Sequence, residues 1–260
     1  PEAVCIVEST QEVADIMKLC NDNLIPVTPR GAGTGLVGGA VPIAGGVVIC
    51  MERMNKILSY DMNNLVVHTQ VGVLLKDLAA DAEEHGLMYP PDPGEKTATL
   101  GGNVSTNAGG MRAVKYGVTR DYVLAMKVVL TSGEILEIGK TVFKTSSGYS
   151  LLHLIIGSEG TLGIITELTL KLVPKPKMDV SLILPFKDVA SCIATVPKIK
   201  LANLDPQSIE YMDADIIETS TAYTGNQVFP KECNGEHVGA CILVTFVGNS
   251  EEDLDNRMEG

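Results

Sequence analysis

The chain has 260 residues, 45% of them hydrophobic, with a formal net charge of −12 at pH 7 and no tryptophan. That length buries a sizeable core as one large domain or two of ordinary size, while the acidic balance and scarce aromatics exclude a nucleic-acid surface, which needs a basic face or stacking platforms. Apolar runs such as residues 45–51 and 151–156 fall far short of the roughly 20 residues of a membrane-crossing helix, so no transmembrane span is expected.

In chain order, residues 3–7 read as a buried strand. Ser9 and Glu12 then form a capping box ahead of a helix whose apolar stripe is Val13, Ile16, Met17, Cys20 and Leu24. Strands at 25–27 and 46–51 complete a small α/β unit that ends near residue 58. A strand at 65–71 precedes a helix at 73–85 closed by Gly86. From Pro90 to Gly117 periodicity disappears, and Pro, Gly, Asn, Ser and Thr dominate a stretch longer than the usual structureless loop. Residues 125–130 and 134–138 form a hairpin around Thr131-Ser132-Gly133, followed by a short helix at 149–156 and a long strand at 163–173.

Pro174-Lys175-Pro176-Lys177 is the best linker candidate. Beyond it come a strand at 180–184, a helix at 186–196, a strand or helix around 208–219, a strand at 238–247 and a helix starting at Ser250. That plan suits an α+β cap with helices on one face of an antiparallel sheet. Residue 1 is a proline that leads straight into a strand-like run. At the other end the acidic first turn Glu251-Glu252-Asp253 stands close to the last residue, so truncation is expected at both ends.

The six cysteines are scattered and never form C-x-x-C, which excludes iron–sulfur and zinc patterns and reads as reduced cytosolic thiols. His68, His85, His153 and His237 show no ligand spacing, so they read as structural and no metal site is expected.

Glycine carries the chemistry. Gly33-Thr34-Gly35-Leu36-Val37-Gly38 satisfies G-x-G-x-x-G after a strand, but a nicotinamide-binding fingerprint must open a helix, and Gly38-Gly39 with Pro42 stops one. No Gly-Lys-Ser/Thr follows, so a Walker A loop fails too. What remains is a loop whose N–H groups can converge on an anion as a nest, with Arg30 either adding charge or forming a surface ion pair. Alone, the loop is balanced between a phosphate site and a tight turn. Residues 97–110, with two Gly-Gly pairs among Ser, Thr and Asn, and residues 157–163 add two more such loops. Three suit a large, flat, polar cofactor, because glycine lets backbone approach a ring or a diphosphate closely and small polar side chains donate without formal charge. Arg112, Lys115 and Arg120 stand near the second loop and read as solvated surface charges.

PRGAGTGLVGG (29–39), PPDPGEKTATLGGNVSTNAGGMRAVKYGVTRDYV (90–123) and GYSLLHLIIGSEGTLGIITELTLKLVPKP (148–176) together resemble the FAD-binding domain of the vanillyl-alcohol-oxidase superfamily. Within it they are most similar to the D-2-hydroxyacid dehydrogenases that include the glycolate oxidase catalytic subunit and D-lactate dehydrogenases. The resemblance implies an α+β chain: an FAD-binding domain at 1–174, made of two α/β subdomains at about 1–58 and 59–174, then the start of a ferredoxin-like cap or substrate domain at 175–260.

It also implies FAD, held non-covalently because no histidine stands near Thr34 to tether it. In that family's pattern Pro29, Arg30, Gly31, Ala32, Gly33, Thr34 and Gly35 form the diphosphate segment. Pro91, Asp92, Thr99, Gly101, Gly102, Ser105, Thr106, Gly109 and Gly110 lie along the flavin and ribityl chain, and Tyr116 and Gly117 shape that pocket. Glu159, Gly163 and Ile165 sit near ribose and adenine. The turn Lys144-Thr145-Ser146-Ser147-Gly148-Tyr149-Ser150 departs from the Lys-Asn-x-x-Gly-Tyr-Asp of related members.

The implied activity is oxidation of a D-2-hydroxy acid of the D-lactate or glycolate class, with hydride transfer to flavin N5 and electrons passed to an electron-transfer flavoprotein or iron–sulfur partner subunit. The implied location is cytoplasmic, with peripheral membrane association left open. The family's catalytic and metal-binding residues lie beyond this stretch, so no catalytic side chain is named. The competing readings are an ether-lipid synthase or aryl-alcohol oxidase of the same superfamily, a flavin-binding subunit without catalysis, and an NAD-binding protein.

Overall fold

The computed structural model of the chain describes residues 1–142 and 144–259; Phe143 and Gly260 lie outside the described residues. Contacts group it into two units, residues 1–110 with 118–175, and residues 111–117 with 176–260.

The first unit opens with β1 (Ala3–Ile6), α1 (Thr10–Asp22), β2 (Val27–Arg30) and β3 (Val47–Cys50), a parallel sheet in the order β1-β3-β2. Ser9 Oγ accepts the N–H of Glu12 at 3.2 Å, whereas the Glu12 carboxylate accepts the N–H of Glu8 rather than that of Ser9, so the capping box closes one residue early. α1 buries Val13, Ala14, Met17 and Cys20. Leu24 leaves the expected stripe, because the helix ends at Asp22 and Leu24 takes φ +55° in the exposed turn.

The chain then forms β4 (Ile57–Asp61), β5 (Val66–Gln70), α2 (Leu75–Glu84), β6 (Leu87–Met88) and α3 (Leu100–Ser105). After α4 (Ala113–Tyr116), which belongs to the second unit, come β7 (Val123–Val129), β8 (Ile135–Gly139), α5 (Leu151–Ile155), β9 (Ile164–Lys171) and β10 (Val173–Pro174). Five of these strands build an antiparallel sheet in the order β4-β5-β9-β7-β8. α1 lies against it: Thr10 Oγ1 donates to Thr166 Oγ1 at 3.0 Å. At the tip of the β7–β8 hairpin Gly133 takes φ +82°, and a Cβ there would stand 2.8 Å from the Ala14 carbonyl.

α3 and α4 break the stretch expected to lack helices. Periodicity hides α3 because Gly101 and Gly102 fill two of its six positions. The helix is held instead by its Thr99 cap and by the full burial of Leu100 and Val104.

The second unit carries α4, β11 (Met178–Phe186), α6 (Val189–Leu201), β12 (Ser208–Asp213), α7 (Ala214–Thr224), β13 (Glu232–Cys233), β14 (Glu236–His237), β15 (Ala240–Gly248) and α8 (Glu251–Glu259). The ambiguous 208–219 stretch is both a strand and a helix, divided at Asp213, whose carboxylate accepts the N–H of Ile216 at 2.8 Å. β15 is the centre of an antiparallel sheet in the order β11-β15-β12. Its residues Ala240, Ile242, Val244 and Phe246 pack with Cys192 and Ile199 of α6 and Leu254 of α8. Cys241 faces the other way, onto Ile217 of α7 and Val238. Helices therefore cover both faces rather than the single face expected, since alternate residues of a central strand each need an apolar cover.

Among the described residues, no cluster of His, Cys, Asp and Glu is placed to hold a metal, and no helix is long and apolar enough to cross a membrane. All six cysteines are free.

Candidate cofactor site

β2 ends at Arg30, and residues 31–40 run on without helix or strand. Among the described residues, the main-chain N–H groups of 31–37 donate to no protein acceptor, so solvent or a ligand satisfies them. Gly33 takes φ +71°, and a Cβ there would lie 2.4 Å from the Arg30 guanidinium. Arg30 thus folds against its own loop, with Nη2 3.5 Å from the Ala32 carbonyl, instead of reaching a surface carboxylate.

The second segment is α3. Thr99 Oγ1 accepts the N–H of Gly102 at 3.3 Å and touches Gly31 of the first loop. The N–H of Gly101 donates to the Val71 carbonyl at 2.8 Å, and a Cβ on Gly101 would stand 2.6 Å from that of Val71, so glycine is what lets α3 seat there. Carbonyls near the end of α3 hold the third segment: Val104 accepts from Gly157 at 3.1 Å and Ser105 from Glu159 at 2.8 Å. Gly160, at φ +80°, then leans on the Pro29 ring.

The three segments enclose one cavity of about 330 Å³. Of the residues singled out in the sequence, Pro29, Arg30, Gly31, Ala32, Gly33, Thr34, Gly35, Thr99, Gly101, Gly102, Ser105, Thr106, Glu159, Gly163 and Ile165 line it. Pro91, Asp92, Gly109 and Gly110 do not. Gly110 instead presses on the Asp92 carbonyl, and the buried Asp92 carboxylate is held by Lys96 and by the N–H of Gly94. Tyr116 and Gly117 end α4 in the second unit, where Lys115, expected to be solvated, is mostly buried and paired with Asp205.

Sequence reasoning missed the lining residues Leu36, Val37, Gly39, Ala40, Pro93, Ala98, Ala108, Gly160 and Ile164, which lie inside the three motif stretches, save Ala40 directly after the first, and could have been found by taking each stretch whole. Met51 and Val71 follow strands and carry no motif signal. Glu95 and Asn103 were passed over because polarity alone does not tell a wall residue from a surface one.

The charged side chains in the wall are Arg30, Glu95 and Glu159. Hydrogen bonds from the Thr97 hydroxyl and N–H hold the Glu95 carboxyl below its ordinary range and keep it anionic. One cation against two carboxylates would not hold a diphosphate by charge, so that task would fall to the unpaired amides of 31–37. A flavin dinucleotide needs those amides, a slot cleared of Cβ atoms and donors for its carbonyl groups. The glycines clear that slot, and Ser105 and Thr106 bring hydroxyls to its wall.

A family model described as the FAD binding domain matches residues 1–139, and one for the C-terminal domain of FAD linked oxidases matches residues 175–260. A D-lactate dehydrogenase of Anaerostipes hadrus is 62% identical over 259 residues, 100% of this chain and 54% of that protein. Glycolate oxidase subunit GlcD of Bacillus subtilis (strain 168) is 43% identical over 214 residues, 82% of this chain and 46% of that protein. A solved structure of alkyldihydroxyacetonephosphate synthase shares the fold, with a TM-score of 0.83 at 24% identity over 98% of this chain and 48% of that one. The chain spans about half the length of the curated relatives it matches.

Proposed function

The chain belongs to the FAD-binding-domain family of FAD-linked oxidases, with FAD as its cofactor, and from that premise we propose that it is the flavin cradle of an enzyme that oxidises a D-2-hydroxy acid. The substrate belongs to the D-lactate or glycolate class and the product is the 2-oxo acid. One observation carries this reading: three glycine segments, far apart in sequence, wall a single cavity. The relatives named D-lactate dehydrogenase and glycolate oxidase subunit support the substrate class. When bound, FAD supplies the two-electron oxidant, accepting hydride at N5.

The protein's part is binding, orientation and exclusion of water. The amides of residues 31–35, with Arg30, hold the diphosphate. Gly101 and Gly102 clear space beside the flavin, where Ser105 and Thr106 offer hydroxyls and Thr99 fixes the backbone. The Glu159 carboxylate accepts from ribose hydroxyls, with Gly163 and Ile165 beside the adenine. Met51, Val71 and Ile164 keep water from the wall, while Asp92 and Gly110 support it from behind. No histidine lies in residues 29–40, so the cofactor is held without a tether there. In this reading residues 1–174 bind flavin and residues 175–260 begin the substrate side. Electrons leave to a separate carrier, an electron-transfer flavoprotein or an iron–sulfur partner subunit.

The test is anaerobic addition of D-lactate, D-glycerate or glycolate to the natural protein that carries these residues. Bleaching of the oxidised-flavin absorbance by one of them is expected. Bound flavin that none of them bleaches supports a non-catalytic flavin-binding subunit instead. A colourless protein that gains thermal stability with NAD and not with FAD ends the cofactor assignment.

A further inference from the structure

Glu95 stands in the cavity wall, on the segment that leads into the cap of α3. Its turn is closed by the N–H of Ala98, which donates to the Glu95 carbonyl at 3.4 Å. Thr99, the next residue, touches Gly31 at the start of the loop with unpaired amides. An acid is thus set beside the segment suited to phosphate. The Thr97 hydroxyl at 2.6 Å and the Thr97 N–H at 2.8 Å fix its carboxylate and keep it anionic. Among the described residues no cation pairs with it: Lys96, next in the chain, is taken by Asp92, and Arg30 turns back onto the Ala32 carbonyl.

A fixed negative charge in the wall of an anion-binding cavity opposes every anion, and opposes it more as the anion's charge grows. A neutral side chain would bind phosphate better, so the carboxylate works for discrimination and not for affinity. The diphosphate of a dinucleotide is esterified at both ends and keeps one negative charge per phosphorus. Nucleoside di- and triphosphates end in a free phosphate that carries about −1.5 to −2. They share the adenosine diphosphate half of FAD, so a loop of amides alone would admit them.

We propose that Glu95 is a specificity residue that acts by repulsion: it admits the doubly esterified diphosphate of FAD and turns away nucleotides that end in a free phosphate. This rests on FAD occupying the cavity. Contact with the ligand is not required, because the interaction reaches across a screening length of about 8 Å at physiological salt.

The experiment titrates FAD and riboflavin into the flavin-free natural protein that carries these residues, unaltered and as Glu95→Gln, which removes the charge and keeps an acceptor for Thr97. ADP and ATP, without divalent cations, are measured by displacement of FAD. Glu95→Gln is expected to bind ATP about tenfold, ADP about fivefold and FAD about threefold more tightly, with riboflavin, which has no phosphate, unchanged. At 1 M NaCl, where the screening length falls to about 3 Å, the two proteins should converge. Glu95→Asp, which keeps the charge, should preserve the parent's ranking. Equal changes for all four ligands, no change in the preference for FAD over ATP, or a difference that survives 1 M NaCl overturns the proposal. Unaltered protein that binds no FAD removes the premise instead and is told apart by that result.

Discussion

Thr99 Oγ1 stands 2.2 Å from the point where a Cβ on Gly31 would lie. The hydroxyl that caps α3 thus occupies the room a side chain at 31 would need, and glycine there is a condition of the cap. Gly31→Ala is expected to push the hydroxyl off the Gly102 N–H, costing about 1–3 kcal/mol for overpacking and about 1 kcal/mol for the lost cap. Urea midpoints measure the loss. In a Thr99→Gly background the same change at Gly31 should cost clearly less, since the obstacle is gone.

Gly35 and Gly110 predict opposite outcomes from the same substitution. Nothing lies within 4 Å of a Cβ at Gly35, so Gly35→Ala should leave flavin-free stability within about 0.5 kcal/mol while it narrows the cavity and weakens FAD binding. At Gly110 a Cβ would fall 1.6 Å from the Asp92 carbonyl oxygen, main chain that cannot rotate aside. Gly110→Ala should cost about 3 kcal/mol or more and show as insoluble expression. An equally stable Gly110→Ala would mean that residues 91–93 move freely.

The Asp188 cap of α6 predicts a pH dependence. Its carboxylate accepts from the Ser191 hydroxyl at 2.5 Å and the Ser191 N–H at 2.7 Å, which holds its pKa below the ordinary value of 3.8. A depressed folded pKa contributes stability above pH 3.8 that is lost as the pH falls through the folded value. Asp188→Ala should therefore lower the urea midpoint at neutral pH, and the gap from the parent should close under acid. A gap that persists in strong acid would exclude the charged cap as its cause.

Burial pushes the thiols of Cys20, Cys192 and Cys241 above their ordinary value, which disfavours the reactive thiolate. A raised folded pKa means stability present below pH 9.0 and lost as the pH climbs through the folded value. Brief iodoacetamide treatment of the folded protein should label the partly exposed Cys5 and Cys233, with Cys20, Cys50, Cys192 and Cys241 modified only in urea. Mass spectrometry of peptides reads the pattern, and early labelling at Cys192 would contradict the packing around β15.

What was legible in the sequence is what short-range chemistry writes there. Ser9 announced α1, and the glycines of residues 31–39, 101–102 and 160–163 announced three segments that meet in space, although the second is the helix α3 and not a loop. β4 escaped notice because only Ile57, Leu58 and Tyr60 are apolar and a bulge between Ile57 and Ser59 interrupts the alternation. Met51 and Val71 became wall residues through strand placement alone, which no local pattern encodes.

The assignment of α4 to the second unit has a consequence for how this chain is made. Lys115 pairs with Asp205, 90 residues later. During translation residues 111–117 must wait, unsupported, until the ribosome has delivered the second half of their unit. A fragment begun at the Pro-rich stretch after residue 173 would never receive them. For expression and for engineering, the apparent linker is therefore not a place where the molecule comes apart into two self-sufficient pieces.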